Sequence, residues 1–525
     1  MMANAELTGL RLKRFKSYDQ AVDIELKPLT ILLGRNNCGK SSIIQALLLL
    51  SQTLNQRRAD VPLHLEGNVD ALNLRELTYG WPEDLSQEGP EIEVRWTSTV
   101  SRWIKNWDSL LVEAGVDWPP TIEQATLETC LRIQLCEFNG GMQVREIILT
   151  SRRISEPPVE NPRASFRPGS EIGEYDFFWN GQKASGIEFR LDHFIPRHEF
   201  WVGTRLSEPD SWLTAFEAIY ARPLEILRWL LGRFRYLSSV RSLPPAIYKI
   251  PSVPPDDIGI SGEYAAQMLH KRRLDLVHYL PPLTVDGDEI SVPRSVLRQS
   301  LLEAINAVFA DLGVNAADLE IEDIRDLGFR LLFGKASFQH VGRGLGYLLP
   351  VVQLGLIADP LRSEYPADAR KGGLSPEAFE ELFELPAHIA IEEPETHLHP
   401  KVQTRLAHWF VALAMAGRRM ILETHSDHLV RRLRGLIARA EKGSPLETWL
   451  EENVAVIEVE QDADGRSTAT QSRLTDLGDI EERWPADFMD ESADEERAIY
   501  YAALDKKPEE PVYDDQTVVV HESTE

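Results

Sequence analysis

The sequence predicts an α/β fold: a mixed sheet with antiparallel strands at its N-terminal end, flanking helices and an inserted α+β region. Three stretches predict it. Leu29-Thr30-Ile31-Leu32-Leu33 runs into Gly34-Arg35-Asn36-Asn37-Cys38-Gly39-Lys40-Ser41 and then into an apolar helical pattern from Ser42 to Leu50. That is strand, glycine-rich loop and helix, with the G-x-x-x-x-G-K-[ST] spacing of a phosphate-binding loop. A short apolar strand ending at Ile391 delivers Glu392 and Glu393, and a second, Met420-Ile421-Leu422, ends in Glu423-Thr424-His425-Ser426. Open parallel sheets bind their ligands at such carboxyl ends.

The phosphate loop needs these residue types. Glycines let successive N–H groups point into one concavity, and the helix that follows adds its positive end to an anion held there. Lys40 is expected to reach the β- and γ-phosphates and Ser41 to ligate Mg²⁺, with Gly34, Asn36, Asn37, Cys38, Gly39 and Ser42 completing the nucleotide cradle.

With 525 residues, 43% hydrophobic and 26% charged, the chain reads as globular and large enough for two or three domains or for one large domain with insertions. No apolar run is long enough to cross a bilayer, and the start, Met1-Met2-Ala3-Asn4-Ala5-Glu6, shows no export signal. Cys38, Cys130 and Cys136 are too few for a disulfide framework or a four-thiolate metal site, and a thiol inside the phosphate loop suits a reducing, cytoplasmic setting. The net charge of −27 argues against a surface that coats nucleic acid indiscriminately. Residues 441–525 hold 25 acidic against seven basic residues, so the body of the chain is much closer to neutral.

In chain order, Leu10 to Phe15 and Val22 to Leu26 alternate about the break Lys16-Ser17-Tyr18-Asp19, which predicts a hairpin leading to the loop strand. The leucine-spaced segment Val61 to Gly80 is a place for a glutamine-type γ-phosphate sensor, and no residue is assigned to it. Trp96, Trp103, Trp107 and Trp118 read as core or as a partner-binding face, with Trp103 and Trp107 one helical turn apart. Leu131–Leu135 and Val144–Leu149 read as paired strands around Asn139-Gly140-Gly141, and Ser155 to Ser170 as an exposed loop. A strand at Phe234 to Arg241 is broken by Pro244-Pro245. No apolar heptads persist between the phosphate loop and residue 330, so long coiled-coil arms are not expected.

In the late stretch Ile391-Glu392-Glu393-Pro394-Glu395-Thr396-His397-Leu398-His399-Pro400, the first carboxylate is expected to hold Mg²⁺ and the second, Glu393, to orient and deprotonate the attacking water. His397 and His399 lack the companion His/Cys cluster of a zinc site. His425 is placed to hydrogen-bond the γ-phosphate or the attacking water, a structural histidine being its reading in isolation.

The set of hairpin residues Phe15-Lys16-Ser17-Tyr18, phosphate loop, Glu392-Glu393 pair, Thr396-His397-Leu398-His399 and His425 resembles the ABC-class, AAA-type ATPases of the SMC/RecF/OLD-like group. The likeness covers residues 7–50 and 335–435 well and the middle weakly. It implies a P-loop NTPase of the ABC-ATPase head type that binds ATP and Mg²⁺. Residues 1–80 would form the N-terminal lobe, 81–330 the insertion, 331–440 the C-terminal lobe, 441–505 a small C-terminal domain of unknown function as in bacterial members, and 506–525 an acidic tail. It further implies heads that dimerise, or assemble further, around nucleotide. Thr396, His397 and His399 would form the D-loop, and Gly342, Arg343, Gly344 and Gly346 the signature that faces the other copy's phosphates. Relatives carry serine near Gly346; Arg343 is the candidate cationic substitute.

OLD-type relatives append a Toprim nuclease. Ile457-Glu458-Val459-Glu460-Gln461-Asp462-Ala463-Asp464 is similar only superficially, so no intrinsic nuclease is expected and a separate nuclease or toxin would act as effector. Arg431-Arg432-Leu433-Arg434 with Arg439, and Lys271-Arg272-Arg273, are either phosphate-backbone grips or solvated helix faces. The function expected is an ATPase head controlling a partner in bacterial anti-phage defence or genome maintenance. A nucleotide-dependent scaffold with little turnover and a DNA-binding repair ATPase are the alternatives.

Overall fold

In the computed structural model the described residues are 5–472 and 478, without 87, 102–107, 119–121, 123, 156, 172, 199–210, 254, 256, 315–316, 326 and 360–386. The first strands, β1 (Glu6–Lys13) and β2 (Val22–Glu25), are the predicted hairpin, pairing Leu10 with Ile24 and Leu12 with Val22. Next come β3 (Leu29–Leu33), buried along its whole length, and α1 (Lys40–Leu54). Helix α1 is apolar nearly all round, as a helix enclosed by other elements must be. Its Ile43, Ile44, Leu47 and Leu50 share one apolar cluster with Leu10 and Ile92 and with Leu32, Ala390, Ile421 and Ile457.

The long strands β4 (Glu91–Ser101), β5 (Gln124–Phe138) and β6 (Gly141–Arg153) follow, with α2 (Asp108–Glu113) between the first two. Asn139 and Gly140 both take positive φ, the two-residue turn that matches strand twist, and Leu131 faces Leu149 across it. Then come β7 (Val159–Glu160), β8 (Ala164–Pro168), β9 (Glu174–Trp179), β10 (Gln182–Asp192) and β11 (Ile195–Arg197). The antiparallel sheet runs β11-β10-β9-β8-β6-β5-β4-β1-β2, with β7 also on β6. Two expectations change here. Ser155–Ser170 is not one exposed loop, because Ala164, Ser165 and Phe166 are buried in β8 between β6 and β9, and a five-residue strand closed by proline leaves little pattern to read. Residues on both sides of position 80 share this one sheet, since β1 pairs with β4 as well as β2.

Helices α3 (Ser211–Phe216) and α4 (Arg222–Gly232), joined by a wide turn at Glu217–Ala221, are tied to the antiparallel sheet. Trp96 Nε1 donates to the Pro223 carbonyl at 3.0 Å, and the Tyr220 hydroxyl donates to the Pro162 carbonyl at 2.7 Å. Trp96 and Trp118 are thus core; Trp103 and Trp107 lie outside the described residues. Strand β12 (Arg235–Leu237) then enters the second sheet.

The smaller elements are α5 (Ala265–Arg272), β13 (Leu276–Tyr279), β14 (Thr284–Asp286), β15 (Glu289–Ser291), β16 (Leu297–Ser300), α6 (Leu301–Leu312), β17 (Leu319–Ile324), β18 (Gly328–Phe333) and β19 (Ala336–Ser337). They lead to α7 (Arg343–Ile357), β20 (His388–Glu392), α8 (Pro400–Met415), β21 (Arg419–Glu423), α9 (Asp427–Arg439), α10 (Pro445–Asn453), β22 (Val454–Gln461) and β23 (Ser467–Ser472). The second sheet has the order β12-β20-β21-β3-β22-β23 and is parallel except for the last pair. Its strands β22 and β23 come from the segment after residue 441, so that segment supplies part of the core sheet rather than standing apart. The rest of the expected C-terminal domain, from residue 479 to 505, and the expected acidic tail, 506–525, lie outside the described residues. Among the described residues no helix is long and apolar enough to cross a membrane.

Below the second sheet Arg418, 1% exposed, lies 3.8 Å from the fully buried Asp359, which also accepts from the His278 backbone N–H at 2.7 Å. Burial pulls the Arg418 pKa down to about 10, and Asp359 holds it up. Removing one member of a buried ion pair leaves the other uncompensated. Asp359→Ala is therefore expected to lower unfolding free energy by about 3–5 kcal/mol in a urea titration.

Candidate functional site

At the end of β3 the chain turns through Gly34 with φ +145°, and a Cβ there would lie 2.2 Å from the Val459 carbonyl oxygen of β22. Gly39, φ +105°, is pinned between two hydroxyls: its Cβ would meet Ser17 Oγ at 2.6 Å and Ser467 Oγ at 2.7 Å. The Tyr18 hydroxyl donates to the Gly39 carbonyl at 3.1 Å, and Ser467 Oγ to the Cys38 carbonyl at 2.6 Å. The loop is therefore clamped from the β1–β2 turn on one side and the β22–β23 turn on the other. No side chain caps α1, whose N-cap is Gly39, and its first turn carries no acid. Apart from that of Ser42, which the Gly39 carbonyl accepts, its leading N–H groups are left to an anion.

Lys40, 3% exposed, donates to the Gly34 and Arg35 carbonyls at 3.0 and 2.7 Å, which folds it back across the loop. Arg35, Asn36 and Asn37 are exposed along the loop, while Cys38 is buried and its thiol pKa is raised by that burial. Ser42 donates its N–H to the Gly39 carbonyl.

Strand register sets the acidic half of the site. Glu392 of β20 and Glu423 of β21 are paired neighbours, and Glu423 in turn pairs with Leu32 of β3. Residues paired in this way present their side chains on one face. Ser41 Oγ donates to the Glu423 carboxylate, 2.9 and 3.1 Å from its two oxygens, and Lys40 Nζ lies 3.8 Å from it. Burial, and then the charge of Glu392, push the Glu423 pKa up to about 7, with Ser41 and Lys40 opposing. Glu392 is held from the other direction. Its Oε2 accepts from the Ser239 N–H at 3.2 Å, its carboxylate is hydrogen-bonded to the Tyr236 hydroxyl, and its carbonyl accepts from the buried Arg241 at 2.8 Å. The sequence reading expected Glu392 to share the cation with Ser41; the carboxylate on the Ser41 hydroxyl is that of Glu423.

Glu393 takes φ +43°, donates its N–H to the Glu423 carbonyl at 2.7 Å and accepts from Thr396 Oγ1 at 3.0 Å. Glu395, 7% exposed, accepts from the His425 N–H at 2.8 Å, and burial raises its pKa. It ties the two strand ends together. His425 is exposed; partial desolvation and then Lys40 hold its pKa below the usual value, while Glu393 pulls it up.

The remaining motif residues gather on the far side of this loop. His397, φ +61°, places its carbonyl oxygen 2.7 Å from where a Cβ on Gly344 would be, and its ring centroid is 4.9 Å from that of Tyr347. His399 caps α8, its Nδ1 accepting from the Lys401 N–H at 3.2 Å. Gly342 and Arg343 are exposed at the start of α7. A Cβ on Gly346 would approach Pro244 Cγ at 2.9 Å, so the absent serine has a steric reason.

Glu423, Glu395, Arg241 and Tyr236 were not assigned roles by sequence reasoning. Glu423 had a signal, for it ends an apolar strand just as Glu392 does; the others are joined to the site only by the fold. The donor set of one hydroxyl and two carboxylates is hard oxygen throughout and fits Mg²⁺, which binds through one or two carboxylates together with substrate phosphates.

Residues 6–92 and 379–430 match a family described as the AAA ATPase domain. Those segments contain the phosphate loop, Glu392, Glu393, Glu395, Glu423 and His425, so the match takes in the whole of this site, on a P-loop fold with mixed α/β content. No curated protein matches. Similar solved structures include an SMC head bound to the C-winged helix domain of ScpA (14% identity, 89% of this chain and 98% of that one, TM-score 0.35). Another is the SMC head domain from Thermotoga maritima (11%, 90% and 98%, TM-score 0.30). A third is an Smc head with an extended coiled coil bound to the C-terminal domain of ScpA, derived from Pyrococcus furiosus (12%, 96% and 100%, TM-score 0.36).

A carboxyl whose pKa is raised by folding binds its proton more tightly in the native state. Stability then falls as pH climbs from the ordinary 4.5 towards about 7 and levels off above that. Glu423→Gln is expected to unfold at a higher temperature than wild type at pH 8 without nucleotide, by the equivalent of about 3 kcal/mol, and the gap should shrink below about 1 kcal/mol at pH 5.

Proposed function

We propose that the chain is an ATP-binding and ATP-hydrolysing head that closes on a second copy of itself around ATP and Mg²⁺, and that hydrolysis controls what the closed heads hold. The observation that carries this is the bond from Ser41 to Glu423, beside Glu392, which joins the phosphate loop to the acidic strand ends. Lys40 and the free N–H groups of α1 bind the β- and γ-phosphates, and Ser41 and Glu392 hold the cation. Mg²⁺ held by these residues would supply charge neutralisation to the phosphates. Glu393 takes a proton from the attacking water, its orientation fixed by Thr396 and by its own N–H on β21. His425, held by Glu395, donates towards the γ-phosphate. Gly342, Arg343 and Gly344 face the other copy's nucleotide, with Thr396, His397 and His399 as the loop between the two sites. A separate nuclease or toxin, in anti-phage defence or genome maintenance, is the effector this cycle would govern.

A second reading, duplex DNA contact, is favoured by a cavity of about 230 Å³ lined by Thr404, His428, Arg431, Arg432 and Arg439. Here the basic run on α9 meets α8, and among the described residues no carboxylate is paired with Arg432.

Lys40→Ala is expected to weaken ATP binding at least tenfold in an equilibrium titration. Glu393→Gln should lower turnover by about 10²-fold or more while retaining ATP, and mass photometry should then find it paired only when ATP is present. Slow wild-type turnover left unchanged by Glu393→Gln would instead identify a scaffold. Contact with DNA predicts turnover stimulated by duplex and lost steeply with salt, and Arg432→Glu should abolish that response.

A further inference from the structure

The two carboxylates of the site are not equivalent. Glu392 is engaged by donors that belong to the fold: a backbone N–H from Ser239, the Tyr236 hydroxyl and, through its carbonyl, the Arg241 guanidinium. Those donors have no nucleotide-dependent reason to let go. Glu423 accepts from the Ser41 hydroxyl and lies within ion-pair range of Lys40, which are the two phosphate-loop side chains expected to turn towards ligand. A hydroxyl that donates to a carboxylate can rotate its proton away and offer a lone pair, at little cost in heavy-atom position. The Glu423 backbone is meanwhile fixed, its carbonyl accepting from Glu393. It is 6% exposed, so an ionised carboxylate here has lost most of its water and faces a like charge one strand away. Lys40, 3.8 Å from Glu423, and Arg241, whose charge acts on Glu392, Glu393 and Glu395, are two cations against four carboxylates.

We propose that Glu423 is a second cation-binding carboxylate of the nucleotide site, holding the divalent ion jointly with Ser41 and contributing more to it than Glu392, which the fold anchors. This rests on the ATP-binding reading above and adds to it a ligand from the strand between the phosphate-loop strand and the strand of Glu392 and Glu393. A purely structural role for Glu423 would steady Ser41 and contribute the same whether or not metal is present. The metal role has a different signature. Without a cation the carboxylate repels phosphate, and with one it attracts.

The test is equilibrium binding of a fluorescent ATP analogue to the full chain in EDTA and in Mg²⁺, for wild type, Glu423→Gln and Glu392→Gln, with Mn²⁺ paramagnetic resonance as a second readout. For Glu423→Gln the expected result is affinity in EDTA equal to or tighter than wild type and a loss of at least tenfold in the gain that Mg²⁺ confers. Nucleotide-dependent Mn²⁺ immobilisation should fall in parallel. Glu392→Gln should lose less of the magnesium gain. Nucleotide binding with the full magnesium gain retained in Glu423→Gln, or weakened equally in both media, overturns the inference and leaves the ATPase reading standing. Failure of wild type to bind nucleotide in either medium overturns both.

Discussion

Everything at the site depends on the register of three parallel strands. Leu32 of β3, Glu423 of β21 and Glu392 of β20 stand at one level, so the phosphate loop begins where both acids end. A slip of one residue in β21 would turn Glu423 to the opposite face and put Leu422 against Ser41. The register is held by strands that are buried from end to end, β3 and β20 without a single exposed residue, and an alternating sequence could not meet that demand.

The two short strand-to-helix loops then need bracing, because backbone with positive φ does not hold itself. At Gly39 the brace is a pair of serines from opposite ends of the chain, and at Glu393 it is the β21 carbonyl and Thr396. Glu395 adds a bond across the strand ends to His425. The conformations at Asn37, Gly39, Glu393 and His397 are all left-handed, and all sit within this one shell. Strain of that kind is kept only where surrounding contacts over-determine it.

How much of this could be read from residues alone follows from which interactions are local. The phosphate loop, the β1–β2 hairpin and the β5–β6 turn are written in adjacent residues, and their patterns name them. The acidic pair was legible for the same reason. Glu423 was overlooked because its meaning lies in a partner 382 residues away, and Arg241 and Tyr236 because strand β12 joins β20 from far upstream. The sheet that links residues 6–13 to 91–101 has no sequence mark at position 80, and β22 looked like an appendage because pairing with β3 spans most of the chain. Gly346 shows the converse: its departure from the expected serine was visible at once, but its cause, the Pro244 ring, is a tertiary contact.

The clamp on Gly39 also orders events in time. Ser17 is made first and Ser467 very late, and β22, whose Val459 carbonyl closes on Gly34, emerges only shortly before it. A nascent chain can lay down its antiparallel sheet and α1 while still on the ribosome, yet the phosphate loop lacks one jaw until translation has passed Ser467. The conformation of the loop is thereby completed only when the β1–β2 turn and the β22–β23 turn have met across Gly39.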